Sequence, residues 1–178
     1  MIGKLIPNIR KSSKKILAVR ILLIALMVFN LVFIWQNSAK VSKDSDKTSK
    51  KIATGVATVV VDDYEALPKP EQKKHVNIIN GKIRSMAHFI EFMPLGFLFY
   101  LLAMSIFDTK EKKFYQKILI YTAIAIILTV LVALGDEIHQ LSVKGRTFQT
   151  GDILLDTSGA LLGCIFALVP TFILRKRI

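Results

Sequence analysis

Ionisable side chains collect beside three apolar segments in the second half of the chain. Arg84, His88 and Glu91 are spaced by four and three residues, so a helix presents them on one face. The stretch GDEIHQ supplies Asp136, Glu137, His139 and Gln140, and Arg146 follows in KGR. Asp152 and Asp156 stand one helical turn apart at the head of the last apolar run. Histidine titrates near neutral pH, so His88 and His139, with Glu91 and Asp136, are the acid–base candidates. Arg84 and Arg146 carry the planar, permanently charged donors that suit phosphate. Glu137, Gln140, Asp152 and Asp156 complete a set able to bind a polar ligand.

Two other chemistries fit less well. A metal would draw mixed N and O ligands from His88, Glu91, Asp136 and His139. No strong ligand motif such as His-Glu-x-x-His is present, so neither a metal nor another cofactor is expected. Ser85, Ser142 and Ser158 lack the Gly-x-Ser-x-Gly elbow of serine hydrolases. The lone cysteine, Cys164, excludes an internal disulfide and reads as a small buried residue. Each polar residue also has a plain structural reading. Asp152 suits the start of a helix through the macrodipole. Asp136 and Glu137 can mark where an apolar helix ends, and Lys144-Gly145-Arg146 can be a turn. Taken together, on helices bordering one membrane face, they form a candidate site.

The elements that position these residues are apolar helices. The chain has 178 residues, 52% hydrophobic and 21% charged. Crossing ~30 Å of hydrocarbon takes roughly 20 helical residues. Four runs are long enough: 16–35, 85–107, 118–135 and 153–174. The expected fold is an all-α membrane protein, a four-helix transmembrane bundle with no separate soluble domain.

Much of the basic charge behind the net +12 flanks those runs; the exception is residues 36–83, whose nine lysines are partly offset by six acids, in a segment long enough to translocate with less regard to charge. Lys4, Arg10, Lys11, Lys14 and Lys15 precede the first. Lys110, Lys112, Lys113 and Lys117 lie between the second and third, and Arg175, Lys176 and Arg177 follow the fourth. The positive-inside rule therefore puts both termini in the cytoplasm. Residues 1–15 read as a cytoplasmic basic tail, with Arg20 near the start of the first span and able to snorkel. Trp35 suits an interfacial anchor. Asn37-Ser38-Ala39 is a poor cleavage site, so the first span reads as a retained anchor.

Residues 36–83 read as an extracellular segment. Its first part mixes Lys, Ser, Asp and Thr and looks solvated. VATVVV at 56–61 is β-prone and reads as a short strand. From Glu71, the spacing of Val76, Ile79, Ile83 and Met86 predicts an amphipathic helix lying on the outer surface. Pro94 is expected to kink the second span. Gly159 and Gly163 have the small-xxx-small spacing of close helix packing.

These residues resemble the VanZ-like family, named for a teicoplanin-resistance protein. The resemblance rests on RSMAHFIEFMPLG at 84–96 and DEIHQLSVKGRTFQTGDILLDTSGALLG at 136–163. It places a VanZ-like domain at 84–175. It implies a bacterial plasma-membrane protein associated with resistance to glycopeptide antibiotics. On that basis the polar cluster would act at the outer face, binding a lipoglycopeptide antibiotic or a lipid-linked cell-wall precursor. An enzyme modifying such a substrate by His/carboxylate chemistry is the alternative. Nucleic-acid binding is disfavoured, because the basic residues flank spans and form no groove-reading motif. The expected partners are the lipid bilayer and, as the resemblance implies, a lipid-linked cell-wall precursor or a lipoglycopeptide antibiotic.

Overall fold

The computed structural model describes residues 8–9, 13–39, 42–108, 112–143 and 147–174. It is helical apart from one two-residue antiparallel ladder, β1 (Asn8–Ile9) with β2 (Phe107–Asp108). Five helices follow the sequence: α1 (Lys14–Ser38), α2 (Ser42–Val60), α3 (Lys69–Ile106), α4 (Phe114–Gln140) and α5 (Thr150–Leu174). A 3-10 turn, Tyr64–Ala66, joins α2 to α3.

Four of the helices, α1, α3, α4 and α5, are long and apolar enough to cross a membrane. The case is plainest for α1. Leu17, Ile21, Leu22, Phe29 and Trp35 are each more than half exposed. A helix apolar on every side and uncovered by protein requires lipid around it, since water would face a large continuous apolar patch. The Ser13 hydroxyl caps its first turn by accepting from the Ile16 N–H. Its far end reaches Ser38, three residues past the span read from the sequence, and that extension matters below.

The bundle is organised around α3, which packs on α1, α2, α4 and α5. Phe92, Leu95, Phe99, Tyr100 and Ala103 are buried along it and meet Tyr121, Ala125 and Ala133 of α4 and Cys164 and Ala167 of α5. Tyr100 and Tyr121 touch edge to face, with ring centroids 5.6 Å apart. The contact of α3 with α5 is close enough to be made by backbone. A methyl group on Gly96 would overlap the backbone of Ala160. One on Gly159 would overlap the Phe89 carbonyl, and one on Gly163 the Met93 carbonyl. The Gly159/Gly163 pair thus packs within the chain, against α3.

Three expectations for the segment between the first two spans change. The β-prone run at 56–61 belongs to helix α2 through Val60. Ala53 and Ala57, four apart and fully buried, seat that helix. Burial along a helical stripe outweighs β-propensity where no partner strand exists. The solvated-looking stretch before it is helical from Ser42. The amphipathic stretch from Glu71 does not form a separate surface helix. It is the first part of α3, a continuous helix of 38 residues, about 57 Å long. Only ~20 residues are needed to cross, so its N-terminal portion projects beyond the bilayer, with α2 packed beside it. Gly81 alone is too weak a breaker to end the helix. The helix also continues through Pro94. The Gln72 amide fastens the turn by donating to the Leu67 carbonyl at 2.9 Å.

The two ends of the bundle differ. At one end, β1 pairs with β2, so Asn8 and Ile9, ahead of α1, lie beside Asp108 and Phe107 at the end of α3. Arg20 there donates to the Ser105 carbonyl at 2.5 Å, in the last turn of α3. Expected to reach for lipid headgroups, it satisfies a helix C-terminus instead. The other end carries the polar residues.

Candidate functional site

At that polar end the last turns of α1 and α4 meet the first turn of α5 and the point where α3 enters the bundle. The glycine contacts set the geometry. Phe89 and Gly159 touch backbone to backbone, which brings the preceding turns of α3 and α5 together. His88 consequently faces Asp156, with Nδ1 3.6 Å from Oδ1. Asp156 is 1% exposed, so its carboxylate is reached from within the site and not from lipid.

The other acids accept from neutral donors. Glu91 Oε1 accepts from the Asn37 side-chain amide at 2.7 Å. The Asn30 amide donates to the Glu91 backbone carbonyl at 3.4 Å. Asp136 Oδ2 accepts from the Ser38 hydroxyl at 2.7 Å and from the Gln140 amide at 2.8 Å. Glu137 Oε2 accepts from the Gln149 backbone N–H at 2.6 Å, which ties the start of α5 to the end of α4. Asp136, Glu137 and Gln140 are each 1% exposed. A carboxylate buried this deeply is costly unless hydrogen-bonded. Among the described residues, Asn37 and Ser38 of α1, Gln140 of α4 and the Gln149 backbone ahead of α5 supply neutral donors to these acids. Arg84 forms no ion pair among the described residues.

Arg84 lines a cavity of about 220 Å³ with Gly81, Ser85, His88, Gln149 and Asp152. The cavity sits between α3 and the start of α5, above the His88–Asp156 contact. His139 does not join it. Its imidazole lies against the indole of Trp35, with centroids 5.4 Å apart and planes 26° from parallel. The last turn of α4 thus sets His139 beside α1. Arg146, with Lys144 and Gly145, lies outside the described residues. Among the described residues no three His, Cys, Asp or Glu side chains are disposed to hold a metal ion. The mixed ligand set of His88, Glu91, Asp136 and His139 is not assembled.

Reasoning from sequence missed the contribution of α1. Asn37 and Ser38 were read as a weak cleavage site and Trp35 as an interfacial anchor. A signal existed: Asn30, Ile34, Asn37 and Ser38 share one helical face. Asparagine inside an apolar span points towards a polar partner. Gln149 gave no comparable signal, because its backbone N–H makes the contact.

Long apolar helices with ionisable side chains gathered at one end define a small multi-pass membrane protein with a polar site at a bundle terminus. Over residues 17–174, nearly its whole length, the chain matches the VanZ/LLP1 family and belongs to it. No curated protein and no solved structure matches the chain. The family match begins inside α1, well upstream of the two motifs at 84–96 and 136–163. That extent agrees with the hydrogen bonds that α1 gives to Glu91 and Asp136.

Proposed function

We propose that this protein binds the polar headgroup of a lipid-linked cell-wall precursor at the outer face of a bacterial plasma membrane. In that way it would take part in the response to teicoplanin-like glycopeptides. The observation that carries the reading is the cavity lined by Arg84, Ser85, His88, Gln149 and Asp152. It offers an anion a guanidinium that forms no ion pair among the described residues, and Asp152 offers an acceptor to a ligand hydroxyl or amine. At about 220 Å³ it is smaller than drug-sized sites, which run from roughly 300 to 1,000 Å³. It suits a phosphate, a sugar edge or a peptide terminus better than a whole glycopeptide antibiotic. The basic residues near the opposite end of the bundle support an outward-facing site through the positive-inside rule.

A second reading, a membrane enzyme acting on the same headgroup, draws on the His88–Asp156 contact. A buried carboxylate facing Nδ1 orients the ring and leaves Nε2 as the nitrogen that meets a substrate proton, the arrangement of a general base.

The experiment measures binding of a lipid-linked disaccharide-peptide precursor to the purified protein. Arg84→Gln removes a charged donor worth about 1.5–3 kcal/mol, so affinity falls at least roughly tenfold. Membrane abundance and thermal stability stay as in the parent, and cells lose protection against teicoplanin. Undiminished affinity in Arg84→Gln contradicts the reading. A change in the mass of the bound precursor that disappears in His88→Gln selects the enzyme over the binding protein.

A further inference from the structure

A second concavity, unlike the first, lies between α1 and α4. It has a volume of about 350 Å³ and is lined by Val28, Leu31, Val32 and Trp35 of α1 and by Val132 and Gly135 of α4. From Val28 to Trp35 it follows two turns of α1, about 10 Å along the axis. The wall is apolar throughout except for the indole at one end. Elsewhere α1 leans on α3 and touches α4 lightly. Gly135 contributes to the opening, since a methyl group there would meet no atom within 4 Å.

What distinguishes this groove from ordinary lipid-facing surface is where it stops. Trp35, which closes it, is stacked on His139. Gly135 is followed directly by Asp136, whose carboxylate holds Ser38 and Gln140. Within one helical turn of the groove's closed end, the same two helices pass from apolar lining to a buried polar network. A water-soluble ligand gains nothing from such a groove, and a peptide would leave backbone groups unsatisfied against its wall. A molecule with a hydrocarbon chain and a polar end matches both parts.

We infer that the α1–α4 groove holds one hydrocarbon chain of a lipid whose headgroup lies over the polar end of the bundle. The inference deepens the headgroup-binding reading above and rests on it for the ligand's polar end. The groove sets the class of ligand: an amphiphile taken up laterally from the membrane, with its chain fixed beside α1. A chain lodged there also holds the headgroup at a fixed depth, which lowers the entropic cost of binding it.

The probe is lysophosphatidylglycerol carrying a diazirine on its acyl chain, with the full-length protein in phosphatidylcholine nanodiscs. After irradiation, labelled peptides are mapped by mass spectrometry. The expected result is saturable labelling of residues 28–35 and 132–135, several-fold above the exposed face of α5 at Ile165, Phe166 and Val169. Gly135→Leu fills the groove and Val32→Phe narrows it from the other wall. Each should reduce labelling at least fivefold while membrane abundance and Tm hold. Labelling that does not saturate, equals that of α5, or ignores both substitutions overturns the inference. Cross-links joining two copies through Trp35→Cys, with no lipid label, overturn it in favour of a self-association surface. The headgroup reading is separable. If Arg84→Gln abolishes precursor binding while groove labelling resembles that of α5, only the chain site falls. If groove labelling stands while Arg84→Gln leaves precursor binding intact, the chain site stands and the headgroup reading falls.

Discussion

Gly163→Leu will leave little or no folded protein in the membrane. Even the first carbon of the new side chain would overlap the Met93 carbonyl and crowd the Phe97 N–H of α3. Overpacking usually costs about 1–3 kcal/mol when neighbouring side chains can move aside. Here the neighbours are backbone atoms of a helix fixed on its other sides by α1, α2 and α4. Relief requires α3 and α5 to separate. That would strip Cys164 and Ala167 from the core and pull Asp156 away from His88. Gly159→Leu, against the Phe89 carbonyl, should behave the same way. Gly151→Ala is the control: it lies on the same helix but meets no atom within 4 Å. Membrane abundance and detergent-solubilised size exclusion check the result. Normal, monodisperse Gly163→Leu protein would show that the two helices are not packed backbone to backbone.

Asp136→Ala is expected to have the second largest effect, on stability. The carboxylate is 1% exposed and takes two donors, one from α1 and one from its own helix. Removing it leaves the Ser38 hydroxyl and the Gln140 amide without that acceptor. A buried polar group left unsatisfied costs about 1–3 kcal/mol. Interhelical hydrogen bonds in membranes average only about 0.6 kcal/mol, because side chains find substitutes. The Ser38 share should therefore be the smaller, since a hydroxyl can turn to a carbonyl of its own helix. The double-mutant cycle of Ser38→Ala with Asp136→Ala isolates the α1–α4 part, expected at roughly 0.5–1.5 kcal/mol. Independent effects of the two substitutions would mean that α1 does not hold Asp136.

Much of this architecture is legible in the sequence, for a simple reason. A run of about 20 apolar residues has few fates other than crossing a membrane, so the four spans follow from hydropathy. The gathering of Arg84, His88, Glu91, Asp136 and Asp156 at one end follows from the alternating direction of those spans. Pairwise contacts are less legible. Whether Asp156 meets His88 or an arginine depends on how closely α3 approaches α5, and three glycines decide that. The part played by α1 was hidden because hydropathy falls at Gln36, while the helix runs on to Ser38. The run at 56–61 misled because local β-propensity carries no information about Ala53 and Ala57 packing on α3. The length of α3 was obscured by a change of environment along one helix. Its periodicity is amphipathic before residue 84 and apolar after it, although the backbone does not change.

The central claim is that the last turn of α1 stands beside Glu91 and Asp136 at the same end of the bundle as the His88–Asp156 pair. Cysteine pairs introduced in a Cys164→Ala background test it most directly, with a short bifunctional thiol reagent applied to membranes. Asn37→Cys with Glu91→Cys, and Ser38→Cys with Asp136→Cys, should each give an intramolecular cross-link. Asn37→Cys with Lys117→Cys, a pair drawn from opposite ends, should give none. Cross-linking in the opposite-end pair together with none in the first two would contradict the account, because it would put α1 against the other end of the bundle.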